Sequence, residues 1–382
     1  MQRNVGEKQC ATIGGILIKE EKNRRTTVKC KRTCTPDTPP TQPERVKVPP
    51  LHFKPAATDA TDQDASLFAG RQTDEERSAA LRGCAGGGEL SCGFLAPNSF
   101  EAAVAVAPPH EHCKVVVLTA ILGGSDTLRQ PRAELGDSRG CLFAFVDGAL
   151  AKRRSARDGA WTLLPLQGEL PFGANARRNS RVPKLLPHRL FPTAEFALWI
   201  DGKLQLNMPP LTAVRRFLTE PEADFAALRN LRRDSIDQEH SWIVDLLCSR
   251  QDKEACDAVN AQWQLYLQGG ASHGVGMAPG WQRRAPVIEG AFFVADLRAA
   301  ATQCLLCSWF NEYVRYSERD QLSFAYVYAS LGGAARVHLI PRKLHWSVAK
   351  SQDTVACYNA TERDAQTIAT HFAHTLSHRQ SG

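Results

Sequence analysis

Charged side chains gather around one apolar run in the middle of the chain, Phe196–Ile200. Such a run is typical of a strand buried in a parallel sheet, and ligands of open α/β sheets bind outside the carboxyl ends of the strands. An aspartate and a lysine follow the run, separated by a glycine that lets the backbone bend sharply. Three basic residues precede it. The five candidates are Lys184, His188, Arg189, Asp201 and Lys203.

This pattern of charge suits a reaction that releases a diphosphate. The departing diphosphate gains negative charge, which needs a fixed cation, either a metal ion held by carboxylates or a Lys or Arg side chain. Two aspartates separated by one residue would hold such a metal, but the second position here is Lys203, which repels a metal and can itself neutralise phosphate. The sequence therefore favours metal-independent chemistry. Mn²⁺ or Mg²⁺ is the alternative, held by Asp201 and, if a second ligand takes part, by His345.

Further candidates lie in two later segments. Glu289 interrupts an apolar run, and because an unpaired buried charge is costly, it is expected to contact a bound substrate. Arg319, Asp320 and Gln321 begin a predicted helix. Ser317 could cap this helix with Asp320 at the third helical position, so capping and a functional role explain Asp320 equally well.

Alternating strands and helices must position these residues. Continuous apolar runs predict buried strands, and amphipathic stretches between them predict helices. This alternation indicates an α/β fold with a mostly parallel sheet covered on both faces. Thr119, Ala120 and Asp147, at the ends of the first two strands, would line a nucleotide pocket, although an aspartate there also commonly caps a turn. The predicted strands are 114–122, 141–146, 196–200, 287–294 and 336–340, and the helices are 211–218, 234–267 (one or two), 297–316 and 320–331.

Composition separates the chain into four parts. The net charge is +7 over 382 residues, and the basic excess is concentrated in residues 1–60, which predicts a disordered basic and Pro-rich tail. The remainder is close to neutral, which argues against a nucleic-acid partner. Residues 61–109 are expected to form a loosely ordered lead-in, 110–350 the main domain and 351–382 a C-terminal tail. No apolar run is long enough for a membrane helix or a secretory signal, so membrane anchoring is expected only if the N-terminus is truncated.

Three blocks carry a family resemblance. They are VVVLTAILGGSDTLRQP (Val115–Pro131), VPKLLPHRLFPTAEFALWIDGKLQL (Val182–Leu206) and WFNEYVRYSERDQLSF (Trp309–Phe324). Together they resemble the plant turgor-defect and mucilage-related glycosyltransferase-like family over about residues 90–350. Cys92 and Cys113 also look like that family's entry segment, and the two cysteines could be bridged.

The resemblance implies a GT-A-like fold, a Rossmann-like domain for a nucleotide sugar, and residence in the Golgi lumen. It implies transfer of a hexosyl or pentosyl group from a nucleotide-sugar donor to a glycan acceptor in polysaccharide or cell-wall synthesis. Catalytic roles are expected for Asp201, Lys203, Asp320 and Glu289. Contacts with the donor or its diphosphate are expected from Thr119, Ala120, Asp147, Lys184, His188, Arg189, Arg319 and Gln321.

Two other functions fit the same residues. A non-catalytic scaffold that kept the fold is compatible with Lys203 in place of a carboxylate. A ceramidase-type amide hydrolase rests on an activity attributed within the resembling family, and it needs a metal-activated water or a nucleophile with a base. The chain as given carries no signal or anchor, so a cytoplasmic location is the alternative to the Golgi.

Overall fold

The computed structural model describes most of the chain between residues 97 and 341. The described residues are 12–13, 16–17, 81, 93–94, 97–124, 127–131, 140–148, 157–250, 252–272, 280–317 and 319–341. His345, the predicted C-terminal tail and nearly all of the predicted N-terminal tail lie outside them. Two units divide at Lys47. In the first unit, the described strands β1 (Thr12–Ile13) and β2 (Ile16–Leu17) pair antiparallel.

The second unit, Val48–Gly382, is built on one eight-stranded sheet. Its order is β10-β8-β9-β7-β3-β4-β6-β5, and strand β9 is inserted antiparallel between β7 and β8. The β10–β8, β7–β3, β3–β4 and β4–β6 pairs are parallel. This order confirms the predicted α/β fold with a mostly parallel sheet. The strands are β3 (Val115–Ile121), β4 (Gly140–Val146), β5 (Arg157–Asp158), β6 (Trp161–Pro165), β7 (Phe196–Ile200), β8 (Phe225–Arg229), β9 (Ile288–Asp296) and β10 (Val337–Ile340).

Helices cover both faces of the sheet, and most of them lie on one face. They are α1 (Ser99–Ala105), α2 (Ala176–Leu185), α3 (Pro187–Leu190), α4 (Pro210–Val214), α5 (Ile236–Ser249), α6 (Lys253–Ser272), α7 (Trp281–Arg284), α8 (Ala300–Arg315) and α9 (Asp320–Ser330). Helix α4 continues directly into a π-helical turn, Arg215–Thr219. Among the described residues, none of these helices combines the length and apolar character that crossing a membrane requires.

Strand β3 shows why both faces are covered. All seven of its residues are buried, because successive side chains of a strand point to opposite faces. Val116 and Leu118 join the larger apolar core, beneath α2, α8 and α9. Val115 and Val117 join the smaller core, beneath α4 and its π-helical turn. Burial on both sides explains the continuous apolar run of this segment.

Several predicted elements differ from the structure. The stretch 234–267, predicted as one helix or two, forms two, α5 and α6, separated at Arg250, so here the second alternative is confirmed. Strands β6 and β8 and helices α1 and α2 were not predicted. Helix α1 lies within the expected lead-in and has a complete capping box, in which the Asn98 side chain accepts from Phe100 N and Glu101 accepts from Asn98 N. Two reciprocal hydrogen bonds therefore fix the start of this helix.

Disulfides join described parts of the second unit. Cys113 pairs with Cys141 of β4, and Cys248 of α5 pairs with Cys256 of α6. The predicted bridge between Cys113 and Cys92 is therefore wrong, because Cys113 is bonded to Cys141, with their Cα atoms 5.7 Å apart. Cys92 itself lies outside the described residues.

Candidate active site

The turn after β7 lies at the edge of the sheet where the predicted site should be. Strand β3 pairs parallel with β4 and β7, so the carboxyl ends of these strands meet there. Asp201 follows β7, and its backbone nitrogen donates to the carbonyl oxygen of Ala291 in β9 at 2.8 Å. Because β9 is antiparallel, its first residues reach the same edge. The strand register thus brings Glu289 close to Asp201, as the pairing of Ile200 with Phe292 shows.

The Asp201 carboxylate is held by two neighbouring side chains. Trp199 Nε1 donates to Oδ1 at 2.8 Å, and Lys203 Nζ lies 3.5 Å from Oδ2. The side chains of Asp201 and Lys203 are 21% and 48% exposed, so both reach solvent at the strand end. Burial alone would raise the pKa of Asp201, but Lys203, Lys184 and Arg181 outweigh it and hold this pKa below its usual value. Asp201 is therefore an anion at neutral pH.

A buried ion cluster lies beside this turn. Asp320, at the start of α9, accepts from Lys184 Nζ through Oδ2, and Arg181 Nε lies 3.1 Å from the same oxygen. Lys184 is 1% exposed and sits between the rings of Trp199 and Trp309, 6.0 and 5.6 Å from their centroids. These contacts fix two cations of α2 at the end of the sheet.

The cluster packs directly on the backbone of β9. A Cβ atom on Gly290 would stand 2.7 Å from Lys184 Nζ and 3.2 Å from Asp320 Oδ2, so any larger residue there would push on the ion pair. Burial would raise the pKa of Asp320, but Lys184 and Arg181 hold it far below its usual value. Burial lowers the pKa of Lys184, an effect that Asp320 opposes. Because Gly290 follows Glu289 in the chain, the ion cluster lies close to Glu289.

Glu289 is the carboxyl group best suited to proton transfer. It is half-buried at the start of β9. Burial raises its pKa above the usual value, Asp201, Glu239 and Asp320 add to the rise, and Lys203 opposes it. A carboxylate with a raised pKa is a stronger base than a free one, which is the property that general base catalysis uses.

Glu239 and Arg233 form a second buried pair near Glu289. Arg233 Nε contacts Glu239 Oε2, which also accepts from Asn230 Nδ2 at 3.3 Å. Glu239 is fully buried, and burial raises its pKa while Arg233 opposes the rise. The Arg233 guanidinium lies 4.2 Å above the ring of Trp242, which is 39% exposed. This pair was not predicted, because neither residue follows an apolar run recognisable as a strand in the sequence.

The remaining predicted residues are spread more widely. The hydroxyl of Thr119 is buried and has no hydrogen-bond partner among the described residues, while Ala120 is 8% exposed. Asp147 Oδ2 accepts from Gly123 N at 3.0 Å, which stabilises the turn after β3. Arg319 and Gln321 are half-buried at the start of α9. Donor contacts by these residues stay predictions.

His188 and Arg189 lie in α3, and their contacts point away from the Asp201 turn. His188 Nε2 lies 3.0 Å from Cys307 Sγ, and burial lowers the pKa of His188 to about 3, with a further contribution from Arg189. Arg189 Nη2 lies 3.7 Å from Glu101 of α1. Their assignment to the diphosphate has no support from these contacts.

The predicted cap of α9 is wrong. Arg319 is the N-cap residue, without a side-chain cap, so Asp320 is the first helical residue rather than the third. Ser317 donates instead to Gln262 of α6. Capping therefore does not account for an aspartate at position 320. Its carboxylate instead pairs with the two cations of α2. Arg181 was missed, although its spacing of three residues from Lys184 places both on one face of a helix.

A divalent metal fits this arrangement poorly. Both oxygens of Asp201 already have neighbours, the Trp199 indole and the Lys203 ammonium, and a metal would have to displace the second. Within the described ranges, the one group of three potential ligand atoms is His112, Cys113 and Cys141, and its two cysteines form a disulfide. That group lies at the other end of β3, because Cys113 precedes the strand. The donor set at Asp201 thus does not match a metal centre.

Comparison with known proteins identifies the family of this chain. The family model described as TOD1/MUCI70, glycosyltransferase-like domain, matches residues 53–351. The chain belongs to the TOD1/MUCI70 family. Its match includes the whole eight-stranded sheet, the Asp201 turn and the ion cluster. The glycosyltransferase-like character expected from the three motif blocks is therefore established at the level of the domain.

Two curated relatives in the TOD1/MUCI70 family come from Arabidopsis thaliana. The probable hexosyltransferase MUCI70 is 30% identical over 229 residues, which are 56% of this chain and 37% of the relative. The alkaline ceramidase TOD1 is 27% identical over 263 residues, 63% of this chain and 53% of the relative. The chain thus spans about half the length of these relatives or less. The apo structure of mouse xyloside xylosyltransferase 1 matches with a TM-score of 0.30 and 12% identity, over 60% of this chain and 84% of that one.

Proposed function

We propose that this protein transfers a hexosyl or pentosyl group from a nucleotide-sugar donor to a glycan acceptor. The observation that carries the proposal is the meeting of three groups at one sheet edge: the Asp201–Lys203 turn, Glu289 and the Lys184–Arg181–Asp320 cluster. Open α/β sheets bind their ligands at this edge. The names of the hexosyltransferase relative and of the family model support the same reaction class.

Lys203 takes the role of the cation at the diphosphate. Its ammonium is half-exposed and fixed 3.5 Å from Asp201, so it can meet a phosphate without leaving the turn. Because Lys203 already neutralises the carboxylate, the reaction proceeds without Mn²⁺ or Mg²⁺. Arg181 and Lys184, held by Asp320, add positive potential at the place where the leaving group gains charge.

Glu289 takes the proton of the acceptor hydroxyl. The hydroxyl oxygen forms a bond to the anomeric carbon of the donor sugar, and the bond from this carbon to the diphosphate breaks. The electron pair of that bond leaves on the diphosphate, opposite Lys203, while the proton moves to the Glu289 carboxylate. Asp201 orients Lys203, the cation at the diphosphate, and Asp320 orients the two cations of α2 that add positive potential, so both aspartates act by positioning other groups.

The Golgi lumen is the proposed location. The Cys113–Cys141 and Cys248–Cys256 disulfides support an oxidising compartment, where such bonds form and persist. Synthesis of polysaccharide or cell-wall glycans is the proposed process, in keeping with the hexosyltransferase relative.

Calorimetry of the full chain against a panel of nucleotide sugars tests the proposal, with and without Mn²⁺. One donor should bind in both conditions and should be consumed when glycan acceptors are added. Lys203→Met should weaken donor binding, whereas Lys114→Met should not, because Lys114 is a similarly exposed lysine, paired with Glu195, at the other end of β3.

Three results would contradict the proposal in different ways. Binding of no donor by folded protein would exclude glycosyl transfer from a nucleotide sugar. Donor binding without turnover across many acceptors would favour a scaffold. Release of fatty acid from ceramide, abolished by Asp201→Ala, would favour the amide hydrolase.

A further inference from the structure

An imidazole ring stands beside the Cys113–Cys141 disulfide. His112 Nε2 lies 3.9 Å from Cys113 Sγ and 3.8 Å from Cys141 Sγ. The nitrogen is thus almost equally far from the two sulfurs. Imidazole nitrogen and thiolate sulfur are the side-chain ligands that structural zinc sites use most. These three side chains therefore carry the ligand set of a zinc site in which the two sulfurs are joined to each other.

The backbone, as well as the disulfide, holds these three residues together. Cys141 is the second residue of β4 and pairs with Val116 in the parallel ladder between β3 and β4. Cys113 lies just before β3, and its backbone nitrogen donates to the carbonyl oxygen of His110 at 3.0 Å. This hydrogen bond closes a four-residue turn that includes His112. Reduction of the disulfide therefore leaves the backbone of all three residues held by the sheet and the turn.

The separation of nitrogen and sulfurs matches a tetrahedral zinc ion. Zinc binds a cysteine sulfur at about 2.3 Å and a histidine nitrogen at about 2.0 Å, so these two ligand atoms lie about 3.5 Å apart. The distances from His112 Nε2 to both sulfurs are within a few tenths of an ångström of this value. The two sulfurs of such a site lie about 3.8 Å apart. The Cα atoms of Cys113 and Cys141 are 5.7 Å apart, so rotation of the side chains alone allows that separation.

The group of three side chains is accessible from solvent on one side. Cys113 is buried, Cys141 is half-buried and His112 is exposed. Three protein ligands leave the fourth position of a tetrahedral ion for a water molecule. Next to the turn, a cavity of about 450 Å³ is lined by His110 and Glu111, and Glu111 is exposed. A carboxylate at this place favours the approach of a cation.

We propose that the reduced form of this protein binds one zinc ion through His112 Nε2, Cys113 Sγ and Cys141 Sγ. The zinc site lies at the opposite end of β3 from the candidate active site, so it is independent of the proposed glycosyl transfer. The zinc ion holds the starts of β3 and β4 together in a chain whose disulfide has not formed. Formation of the disulfide then replaces the metal as the link between the same two strands.

The exchange between the disulfide and the zinc site requires a thiol reductant. A dithiol supplies two electrons and two protons, so the sulfur–sulfur bond breaks, two cysteine thiols form and the dithiol becomes a disulfide. Zinc then binds both sulfurs as thiolates, and the two thiol protons pass to solvent, while His112 binds through its neutral ring nitrogen. In the reverse direction, a disulfide oxidant takes two electrons from the two thiolates, the Cys113–Cys141 bond forms and the zinc ion leaves.

Zinc uptake by the full chain tests the inference. The chain is reduced with a phosphine, freed of metal by a chelator and dialysed against Zn²⁺, and the bound zinc is counted per chain. We expect the reduced chain to hold one zinc ion more than the oxidised chain. His112→Gln and Cys141→Ser should each lose this ion. With Co²⁺ in place of Zn²⁺, the reduced chain should show the thiolate-to-cobalt charge-transfer absorption of a tetrahedral site, which adventitious surface binding does not produce.

Two further variants serve as matched controls. His110→Gln removes the other histidine of the same turn, whose Nδ1 lies 3.1 Å from the carbonyl oxygen of Pro108. Cys248→Ser removes a cysteine of the disulfide between α5 and α6. Both control variants should keep the additional zinc ion when they are reduced. Thermal unfolding of each reduced variant checks that the fold persists.

Several results would overturn the inference. They are uptake of no additional zinc by the reduced chain, equal uptake by the oxidised chain, and retention of the ion by either His112→Gln or Cys141→Ser. Loss of the ion in Cys248→Ser alone would assign the metal to the cysteines of α5 and α6 and overturn it too. A reduced chain that stays unfolded both with and without Zn²⁺ would show that no such site forms.

Discussion

Lys184 of α2 and Asp320 of α9, 136 residues apart in the chain, form a buried ion pair that rests on the backbone of Gly290. Arg181 adds a second cation to the same carboxylate. One aspartate therefore pairs with two cations, Lys184, which is fully buried, and Arg181, whose side chain is 18% exposed. The pair connects two helices with the strand that carries Glu289. Disrupting it should therefore affect both the stability of the fold and the candidate site.

Removing the charge of Asp320 should destabilise the fold strongly. Asp320→Asn leaves Lys184 and Arg181 without their counterion, and breaking a buried pair in this way costs about 3–5 kcal/mol. The free energy of unfolding in urea measures the loss. Asp224→Asn is the matched control, because its partner Arg336 is 54% exposed and can return to water. If the two variants lose the same free energy of unfolding, burial of the ion cluster does not make Asp320 more important for stability than Asp224.

Gly290→Ala should displace the ion pair without changing any charge. The added Cβ would stand 2.7 Å from Lys184 Nζ, and overpacking of this kind costs about 1–3 kcal/mol. We expect lower stability together with weaker donor binding, because Lys184 and Arg181 must move. Gly148→Ala is the control, since nothing lies within 4 Å of its Cβ position. If both alanine variants behave like the unmodified chain, the contact of Gly290 with the ion pair has no consequence.

The pH dependence of the transfer rate should reflect the ionisation of Glu289. A general base must be ionised, so the rate should rise as pH rises through the raised pKa of Glu289. Lys203→Met removes a cation that lowers this pKa, so the acidic limb of the profile should move to higher pH. Glu289→Gln should reduce kcat by about 10²–10⁴-fold while donor binding persists. If the acidic limb of the rate profile lies at the same pH in Lys203→Met as in the unmodified chain, Glu289 is not the general base.

Lys203→Asp should make donor binding depend on a divalent metal ion. The substitution replaces the ammonium beside Asp201 by a second carboxylate, and such a pair suits Mn²⁺ or Mg²⁺. Donor binding by this variant should require Mn²⁺, whereas binding by the unmodified chain should not. Lys203→Met, which removes the cation without adding a ligand, should bind weakly in both conditions. Loss of donor binding by the unmodified chain in a chelator would contradict the metal-independent proposal.

His188 should make stability depend on pH. Burial lowers its folded pKa to about 3 from an ordinary value of 6.5, so between these values the unfolded chain binds the extra proton. The free energy of unfolding should therefore fall as pH falls from 6.5 toward 3, by up to about 1.4 kcal/mol per pH unit. His188→Gln should remove this slope in urea unfolding measured across the window. If the free energy of unfolding depends on pH in the same way in both proteins, His188 does not have the lowered pKa that its burial requires.

The sequence predicted those parts of the fold in which burial leaves a clear pattern. Strands β3 and β7 are buried on both faces and appear as continuous apolar runs. Strand β8 is short and alanine-rich, and helix α2 contains Pro183, so neither has the usual pattern of its element. Local residue preferences there are overridden by tertiary packing.

The candidate site was predictable only in part, for the same reason. Asp201 and Lys203 could be placed because a charge that follows a buried strand must lie at the sheet edge. The pairing of Lys184 with Asp320 depends on how two distant helices pack, which no local spacing encodes. Arg181 and Glu239 belong to the site through that packing alone.

The direction of β9 decides which part of the chain can reshape the reacting edge. Strand β9 is antiparallel to β7 and β8, so it begins at the sheet edge that carries Asp201. The chain enters this edge just before Ile288 and reaches the opposite edge at Asp296. Variation in the stretch entering β9 would therefore change what Glu289 meets, while variation after Asp296 falls on the opposite rim of the sheet. One reversed strand thus separates the stretch of chain that surrounds Glu289 from the carboxyl ends of β3, β4 and β7.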